Sequence, residues 1–453
     1  MTIDVLPDVA LLRIFDLYVD ETEQIEDWQT LVHVCRNWRY LVFQSPRRSG
    51  LKLHCTCTTP IMKKLDVWPP LPIVLLYSIH EMRDKSNSTI LAALEHVDRI
   101  CEFDIYRVPR RQLENILAAM QQPFPALTHL YLRPEDETAP IIPDSFLSGS
   151  APRLRTIYLD GAAFPGLPKL LLSATHLVIL SLEAIPHSGY FSPEAMAIGL
   201  SSLTRLERLH LEFRSPQSRP DRDRRRPRPS TCPQLPVLTH FTFMGASEYL
   251  EDLVARIDTP ILNILEITFF RHFAFDTSQL AQFISRTPRF KTLDKARVDI
   301  YERNVWITLP QGNGGKLELG MSFLQRNGRL SSLAQLCSLP FVHALFSTVE
   351  QLYIQDGSPP PRRQDDIDNN PWLEVLHPFI AIKSLCLSRA FVPRIADALQ
   401  ILAGESVTEV LPALRALFLD DPGPSGTVQE NIGQFVAARQ FVGHSIAVSL
   451  WKS

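Results

Sequence analysis

Glycine is scarce in this sequence of 453 residues, and its cysteines do not pair. There are 18 glycines, about 4% of the chain against a usual value of about 7%. The seven cysteines, at positions 35, 55, 57, 101, 232, 337 and 386, are odd in number and form no CxxC pair. This usage excludes a disulfide framework and predicts a reducing compartment.

An excess of one charge and a long apolar run are also absent. The 46 basic and 49 acidic residues nearly balance, so the chain has no general attraction for nucleic acid or for an anionic membrane. The most lipophilic stretch, 167–185, is interrupted by Lys169 and His176, and Met1–Asp4 shows no signal-peptide pattern. We therefore expect no membrane partner, no nucleic-acid partner, and a cytoplasmic and/or nuclear location.

The chain is instead rich in proline and in one repeated apolar pattern. A six-residue frame, apolar-x-x-apolar-x-apolar, recurs through residues 96–421, and 36 prolines separate short elements. A spacing of about 20 to 30 residues with this frame is the leucine-rich-repeat signature. Each unit is too small to bury its apolar face alone, so neighbouring units must stack. The frames are Ile100–Ile105, Leu127–Leu132, Leu154–Leu159, Leu177–Leu182, Leu206–Leu211, Leu238–Phe243, Leu262–Ile267, a frayed Phe290–Leu293, Val349–Ile354, Ile382–Leu387 and Leu414–Leu419.

These frames predict an α/β fold. We expect a small N-terminal helical domain followed by an irregular leucine-rich-repeat solenoid, a curved parallel sheet with outer helices. The repeats are degenerate, because the Asn that usually follows the frame is missing throughout. The wide gap between Phe290 and Val349 spans about two periods, and residues 305–319 could hold the missing unit. The alternative is a generic α/β chain with short parallel strands.

The composition divides the chain into four parts. We expect a helical domain in 1–50, a linking or capping segment of the array in 51–95, the repeat domain in 96–421 and a capping tail in 422–453. Two polar inserts, 214–234 and 356–370, are predicted to be disordered loops. The first holds seven arginines. It is either a nuclear-localisation or nucleic-acid patch, or a solvated insertion between repeats.

The sequence contains only partial matches to catalytic and metal-binding motifs, because residues that each motif requires are missing at the required spacing. Gly312–Lys316 lacks the first glycine and the final Ser or Thr of a phosphate loop, and Gly443–Ala447 is a weak match to a nucleophile elbow. Cys55 and Cys57 have no second pair at zinc spacing. The sequence thus predicts no catalytic residue, no metal and no cofactor, and the protein is not expected to be an enzyme.

Residues 4–50 carry two apolar helical patterns. The first follows Leu6-Pro7, and an acidic stretch after it, 20–23, predicts a loop. The second has steps of three and four residues and predicts a single helical face. A segment this short cannot bury so many apolar side chains, so some must face a partner or the next domain. The second series is Trp28, Leu31, Cys35, Trp38 and Val42.

This N-terminal segment resembles the F-box motif. Leu6-Pro7, Ile14-Phe15 and a later Val34-Cys35-x-x-Trp38 follow the order of that motif. Residues 43–48 and 65–72 are similar to the large mushroom-type fungal family of F-box proteins with leucine-rich repeats. Asp8–Ala10 departs from the commoner acidic-Leu stretch of the family.

The resemblance implies a non-catalytic adaptor of an SCF-type cullin–RING ubiquitin ligase. Its F-box would dock a Skp-type linker, and its repeats would hold a protein substrate. The alternative is a ligase-independent repeat scaffold for protein–protein interaction, nuclear through the Arg-rich insert. The residues that would form or support the linker interface are Leu6, Pro7, Ile14, Phe15, Val34, Cys35 and Trp38.

Substrate contact is expected on the outward side of the repeat strands. Strand side chains alternate, so the fifth residue of each frame points away from the core. Exposed aromatic side chains at such positions are candidate hot spots. The candidates are Tyr131, Tyr158, His210, Tyr353 and Phe418, and Ser181, Thr242, Glu266 and Cys386 occupy the same frame position.

Overall fold

The chain divides into an N-terminal unit, Met1–Gly189, and a C-terminal unit, Tyr190–Ser453. The computed structural model describes residues 6–22, 27–44, 51–56, 69–78, 88–135, 140–215, 232–270, 277–291, 293–301, 304–312, 314–322, 329–356, 370–403, 407–420 and 426–451. Most of both predicted inserts lies outside these residues, as does Cys57. Residues 232–234 of the first insert are described, and Gln234 there forms a parallel bridge with Asp258.

Three helices begin the N-terminal unit: α1 (Asp8–Thr22), α2 (Asp27–Val34) and α3 (Arg36–Gln44). The Pro7 carbonyl accepts hydrogen bonds from the Ala10 and Leu11 amides, at 2.9 and 3.1 Å, so α1 begins where the proline predicts. Residues 20–22 continue α1, so the predicted acidic loop is wrong for that part.

The second apolar series forms two helices and not the predicted single one. The chain leaves helical geometry at Cys35, between α2 and α3. The Cys35 sulfur accepts a hydrogen bond from the Trp38 amide at 3.4 Å, which satisfies one of the free amides at the start of α3. The break lets α3 pack against α2, so that both halves of the apolar series face the interior. The residues buried there are Trp28, Leu31, Trp38 and Val42.

A parallel sheet of six strands follows in the N-terminal unit, and each strand pairs with the next along the chain. The predicted frames lie in register: Phe103, Leu130, Ile157 and Leu180 align across four strands, and all four are buried. The first two strands extend the sheet into the region 51–95. The strands are β1 (Leu53–Cys55), β2 (Ile73–Ser78), β3 (Ile100–Val108), β4 (His129–Pro134), β5 (Thr156–Asp160) and β6 (Ile179–Ile185).

Short helices connect these strands, as expected for irregular repeats. In the N-terminal unit they are Ser88–Ala93, Arg110–Ala119 and Leu167–Leu171, with 3₁₀ turns at Leu94–His96, Phe146–Gly149 and His187–Gly189. In the C-terminal unit they are Pro193–Leu200, Ser247–Val254, Ser278–Arg286, Arg329–Cys337, Pro340–Phe346, Asn370–Leu376, Val392–Ile401 and Gly426–Phe441, with a 3₁₀ turn at Pro288–Lys291. Among the described residues, no helix is both long and apolar enough to cross a membrane.

The C-terminal unit carries ten described strands in the order β7-β8-β9-β12-β11-β10-β13-β14-β15-β16. All neighbours are parallel except β11, which is antiparallel to β10 and β12. The strands are β7 (Arg208–Phe213), β8 (His240–Gly245), β9 (Ile264–Phe270), β10 (Lys295–Ile300), β11 (Asn304–Pro310), β12 (Lys316–Ser322), β13 (Gln351–Asp356), β14 (Ser384–Leu387), β15 (Ala416–Asp420) and β16 (Ala447–Trp451).

The wide gap in the frames is filled by this antiparallel insertion. Leu317 and Leu319 of β12 align with Leu265 and Ile267 of β9, so the missing unit lies within the expected region. The predicted incomplete frame Phe290–Leu293 is wrong, because the actual frame begins three residues later, at Leu293. Ala296 and Val298 of β10 are the core pair, since they align with Leu352 and Ile354. Gly312, Gly314 and Gly315 lie in the connection between β11 and β12.

A buried carboxylate connects two helices of the C-terminal unit. Glu251 accepts hydrogen bonds from the amides of Gln279 at 2.9 Å and Leu280 at 2.8 Å, in the first turn of helix Ser278–Arg286. Thr277 at that end provides no side-chain cap. The Glu251 carboxylate thus satisfies two amides of the helix and interacts favourably with its dipole.

We predict that Glu251→Ala lowers the free energy of unfolding by about 2 kcal/mol, because the buried amide of Leu280 and the half-buried amide of Gln279 lose their acceptor. Urea denaturation followed by tryptophan fluorescence measures this loss. Glu430→Ala, which removes an exposed carboxylate from helix Gly426–Phe441, is the control and should leave the midpoint unchanged. Equal midpoints for the two variants would contradict the capping role.

Candidate functional site

Aromatic side chains hold the three N-terminal helices together. The rings of Phe15 and Trp38 lie 4.6 Å apart between α1 and α3, and those of Trp28 and Phe43 lie 6.1 Å apart edge to face. Phe15 and Trp38 are buried. These two predicted linker-interface residues therefore belong to the interior, where they can support a docking surface but not touch a partner directly.

The other predicted linker-interface residues are more accessible. Ile14 is 41% exposed and Val34 is 56% exposed, while Leu6 and Pro7 are exposed and Cys35 is half-buried. Ile14, Leu17 and Tyr18 are spaced three and four residues apart, so they adjoin on one side of α1. Four more large apolar side chains of these helices are exposed that the motif match does not include. They are Val9, Leu17, Tyr18 and Tyr40.

Three tyrosines form a row of rings on the outward side of the N-terminal sheet. Tyr131 and Tyr158 are directly paired in β4 and β5, and their rings stack in parallel at 4.3 Å with an interplanar angle of 6°. The Tyr106 ring lies 6.3 Å from that of Tyr131. We call Tyr106, Tyr131 and Tyr158 the tyrosine platform. The repeat frames predict two of its members but not Tyr106, which lies one residue beyond the frame Ile100–Ile105.

The backbone next to Tyr106 departs from a regular strand. The register of β3 against β4 shifts between Tyr106 and Val108, and Arg107 between them has a φ of 52°. Such a bulge redirects the side chain of the extra residue. The Arg107 guanidinium lies 5.2 Å from the centre of the Tyr106 ring, and that of Arg133 lies 5.4 Å from it.

Carboxylates surround the platform. Arg133 forms an ion pair with Asp160 at 3.0 Å, and Lys52 pairs with Glu102. Glu183 accepts hydrogen bonds from the Tyr158 hydroxyl and, at 3.1 Å, from the Ser181 hydroxyl. The Tyr158 hydroxyl is thus fixed toward β6.

Asp104 differs from these carboxylates. It is half-buried and directly paired with Tyr131, yet no described side chain donates a hydrogen bond to it or forms an ion pair with it. Burial, followed by repulsion from Glu102, raises its pKa above the usual value. Burial and the neighbouring Glu183 also raise the pKa of Tyr158, which keeps that phenol neutral.

The remaining candidates lie in the C-terminal unit and do not come together. His210 and Tyr353 are in the same outward row but five strands separate them. Tyr353 and Phe418 lie on either side of Cys386. Cys386 is buried, as is Ser181 in the N-terminal unit, because larger neighbours cover these short side chains. Thr242 donates a hydrogen bond to Glu266 at 3.1 Å.

The antiparallel insertion adds an aromatic residue that the repeat frames do not predict. Trp306 of β11 is directly opposite Gly320 of β12. A Cβ atom at Gly320 would come within 2.5 Å of the indole ring, so only glycine allows the ring to lie there. The Gly-rich turn before Lys316 was the available signal, since it marks a hairpin. Lys316 itself pairs with Glu266 at 2.5 Å and with Glu318 at 3.0 Å.

Within the described residues, the remaining partial motif matches do not bring catalytic groups together. Among the residues that the structure describes, no group of three or more His, Cys, Asp or Glu side chains could hold a metal ion. His444 and Ser445 of the nucleophile-elbow match are exposed residues in the loop before β16, where they line a cleft of about 600 Å³ together with Pro412–Arg415.

No protein-family model matches the sequence, and no curated protein matches it. Among solved structures, it is similar to the leucine-rich repeat-containing protein LegL7 from Legionella pneumophila, with 12% identity and a TM-score of 0.26 over 85% of this chain and 97% of that chain. The register of the strands decides the architecture independently, because the frame residues align from strand to strand within each unit.

The fold is an irregular leucine-rich-repeat array. Its units differ in length and one contains an antiparallel insertion, and what the described strands share is a pair of inward side chains. The outward side chains are therefore free to vary from strand to strand.

We predict that Asp104→Asn raises the urea midpoint at pH 7. Because the pKa of Asp104 is raised in the folded chain, its carboxyl contributes stability at low pH and loses that contribution as the pH rises through the folded value. The gain from Asn should therefore shrink as the pH falls toward about 3.

The matched control is Asp160→Asn, which breaks the ion pair with Arg133 and should lower the midpoint slightly at pH 7. A lower midpoint for Asp104→Asn at pH 7 would show that a partner within the folded chain stabilises its charge.

Proposed function

We propose that this protein is a substrate-recognition adaptor of an SCF-type cullin–RING ubiquitin ligase. In this role its N-terminal helices dock a Skp-type linker, and its repeats hold a protein substrate. The chain supplies proximity and no catalytic group of its own. It acts in the cytoplasm or the nucleus, where the six cysteines of the described residues can remain free thiols.

The observation that carries this proposal is the apolar surface of α1 to α3. Seven large apolar side chains between Leu6 and Tyr40 are exposed, although Phe15 and Trp38 fill the interior between the helices. Exposed apolar patches of this kind support docking to another protein. The order of Leu6-Pro7, Ile14-Phe15 and Val34-Cys35-x-x-Trp38 in the sequence supports a linker of the Skp type as the partner.

Introducing a negative charge at exposed positions of α1 and α2 tests this docking. We predict that Ile14→Asp combined with Val34→Asp weakens binding of the purified Skp-type linker by at least about tenfold, because both positions would bury a charge at the interface. Isothermal titration calorimetry with the full chain measures the affinity. The matched control is Ile198→Asp, an equally exposed position on helix Pro193–Leu200, which should bind normally.

Substitution of the buried motif residues Phe15 and Trp38 cannot test docking to the linker. Phe15→Ala or Trp38→Ala removes a packed ring and costs about 3 to 5 kcal/mol, so it would abolish binding by unfolding the helices. If the intact chain does not bind the linker, the adaptor proposal fails and a ligase-independent repeat scaffold remains.

A further inference from the structure

We propose that β16 pairs edge to edge with β16 of a second copy of this chain. The two strands run antiparallel in this arrangement, about a twofold axis at Ser449. The inference goes beyond the proposed function and does not depend on it, and it concerns the C-terminal unit alone.

The inward pair of β16 lacks the cover that the pair of β15 has. Val448 is aligned with Leu417 of β15 and Leu450 with Leu419, so Val448 and Leu450 occupy inward positions. Leu417 and Leu419 are buried, whereas Val448 is 45% and Leu450 is 76% exposed. The inward pair of β1, the strand at the other edge of the sheet, is buried. An exposed apolar pair is thus a property of β16 and not of edge strands in general.

Backbone hydrogen-bonding groups face outward along the open side of β16. The Ala447 amide donates a hydrogen bond to the Arg415 carbonyl at 2.9 Å, so Ala447 and Ser449 direct their backbone groups toward β15. Because these groups alternate along a strand, Val448 and Leu450 direct theirs to the opposite side. No described strand pairs with β16 on that side. A row of such groups is a template for pairing with another strand.

The devices that usually protect an edge strand are absent from β16 and from the residues just before it. Between Gln440 and Trp451 the sequence contains no Lys, Arg, Asp, Glu or Pro, and its one titratable side chain is His444. The register of β16 against β15 shows no bulge. Phe441 and Val442 are 93% and 47% exposed. An edge this apolar is expected to be covered by another chain.

The pattern of β16 favours a second copy as the occupant, because the strand complements itself. With Ser449 on the twofold axis, Val448 of each copy lies opposite Leu450 of the other. Those are the residues whose N–H and C=O groups face the open side, so each pair exchanges both of its backbone hydrogen bonds. Each inward apolar side chain also meets an apolar partner. The contact is isologous and closes as a dimer.

The lack of charge also favours a second copy over other partners. Like charges directly opposite each other destabilise a strand pair, and two copies of β16 bring none together. The nearest charged residues in the sequence are Arg439, which is buried, and Lys452. An acidic or basic segment of another protein would therefore find no opposite charge on the strand itself. An apolar segment of another protein is the remaining rival, and it would leave the chain alone in solution as a monomer.

Sedimentation velocity of the full chain in reductant tests the dimer. The strand pair is a small interface, so we expect a dissociation constant on the order of 10 μM and a mass that rises with concentration from 51.4 kDa toward twice that value. A monomer up to about 200 μM would overturn the proposal and leave β16 to a segment of another protein. Assemblies that grow beyond the dimer would overturn the twofold arrangement.

Lysines at the inward positions assign the contact to β16. Val448→Lys combined with Leu450→Lys should weaken the dimer at least about a hundredfold, because ammonium groups would meet apolar side chains and one another. The matched control is Ile198→Lys, at a similarly exposed apolar position on helix Pro193–Leu200, which should dimerise normally. An unchanged dimer in the double variant would overturn the site.

A cross-link at the twofold axis tests the register without relying on a disruptive variant. Position 449 faces its own copy in a non-hydrogen-bonded pair, where the Cα atoms are about 4.5 Å apart and a disulfide can form. In a Cys232→Ser background, which removes an exposed thiol, Ser449→Cys should give an intermolecular disulfide on mild oxidation. Val448→Cys lies opposite Leu450 and should give at least about tenfold less.

Peptide mass spectrometry identifies the linked positions. Equal yields for the variants at 448 and 449, or no link at 449, would overturn the register. A monomeric chain that still binds the Skp-type linker would refute this inference and leave the adaptor proposal standing.

Discussion

Each described strand carries an inward apolar pair that it cannot bury alone, so it packs beside the pairs of neighbouring strands and against the connecting helices, and the rest of the structure depends on that constraint. Leu209 and Leu211 of β7 lie beside Phe241 and Phe243 of β8, and those lie beside Leu265 and Ile267 of β9. The alignment must hold in register, because a shift by one residue would turn every pair outward. It leaves the connections free, so helices of different length and an antiparallel insertion are accommodated without loss of the core.

The same alternation builds the surface. If inward positions are fixed by packing, outward positions of successive strands form rows across the sheet, and Asp104, Tyr131, Tyr158 and Ser181 are one such row. The fold supplies the spacing of about 4.8 Å that lets two rings stack. It also brings a carboxylate to a half-buried position without a donor, which packing alone would not favour.

The sequence predicts the repeats well because their signal is local. A strand frame such as Leu154–Leu159 indicates, within six residues, both the alternation of a strand and the side chains that point inward. The break at Cys35 and the hairpin of β11 and β12 are less visible, since each depends on contacts with residues distant in sequence. The frames predict that Tyr131 and Tyr158 both point outward, and their stacking follows from the register of β4 and β5. The isolation of Asp104 and the contribution of Tyr106 required the structure, because they depend on how three neighbouring strands distribute their charges and on one bulge.

In the proposed adaptor role, α1 to α3 would dock the ligase and the outward side of the sheet would hold a substrate. Hydrogen–deuterium exchange of the full chain, with and without purified Skp-type linker, tests this most directly. We expect slower exchange on linker addition within residues 8–44 and unchanged exchange in β3 to β6. No change within 8–44, or protection confined to the strands, would contradict it.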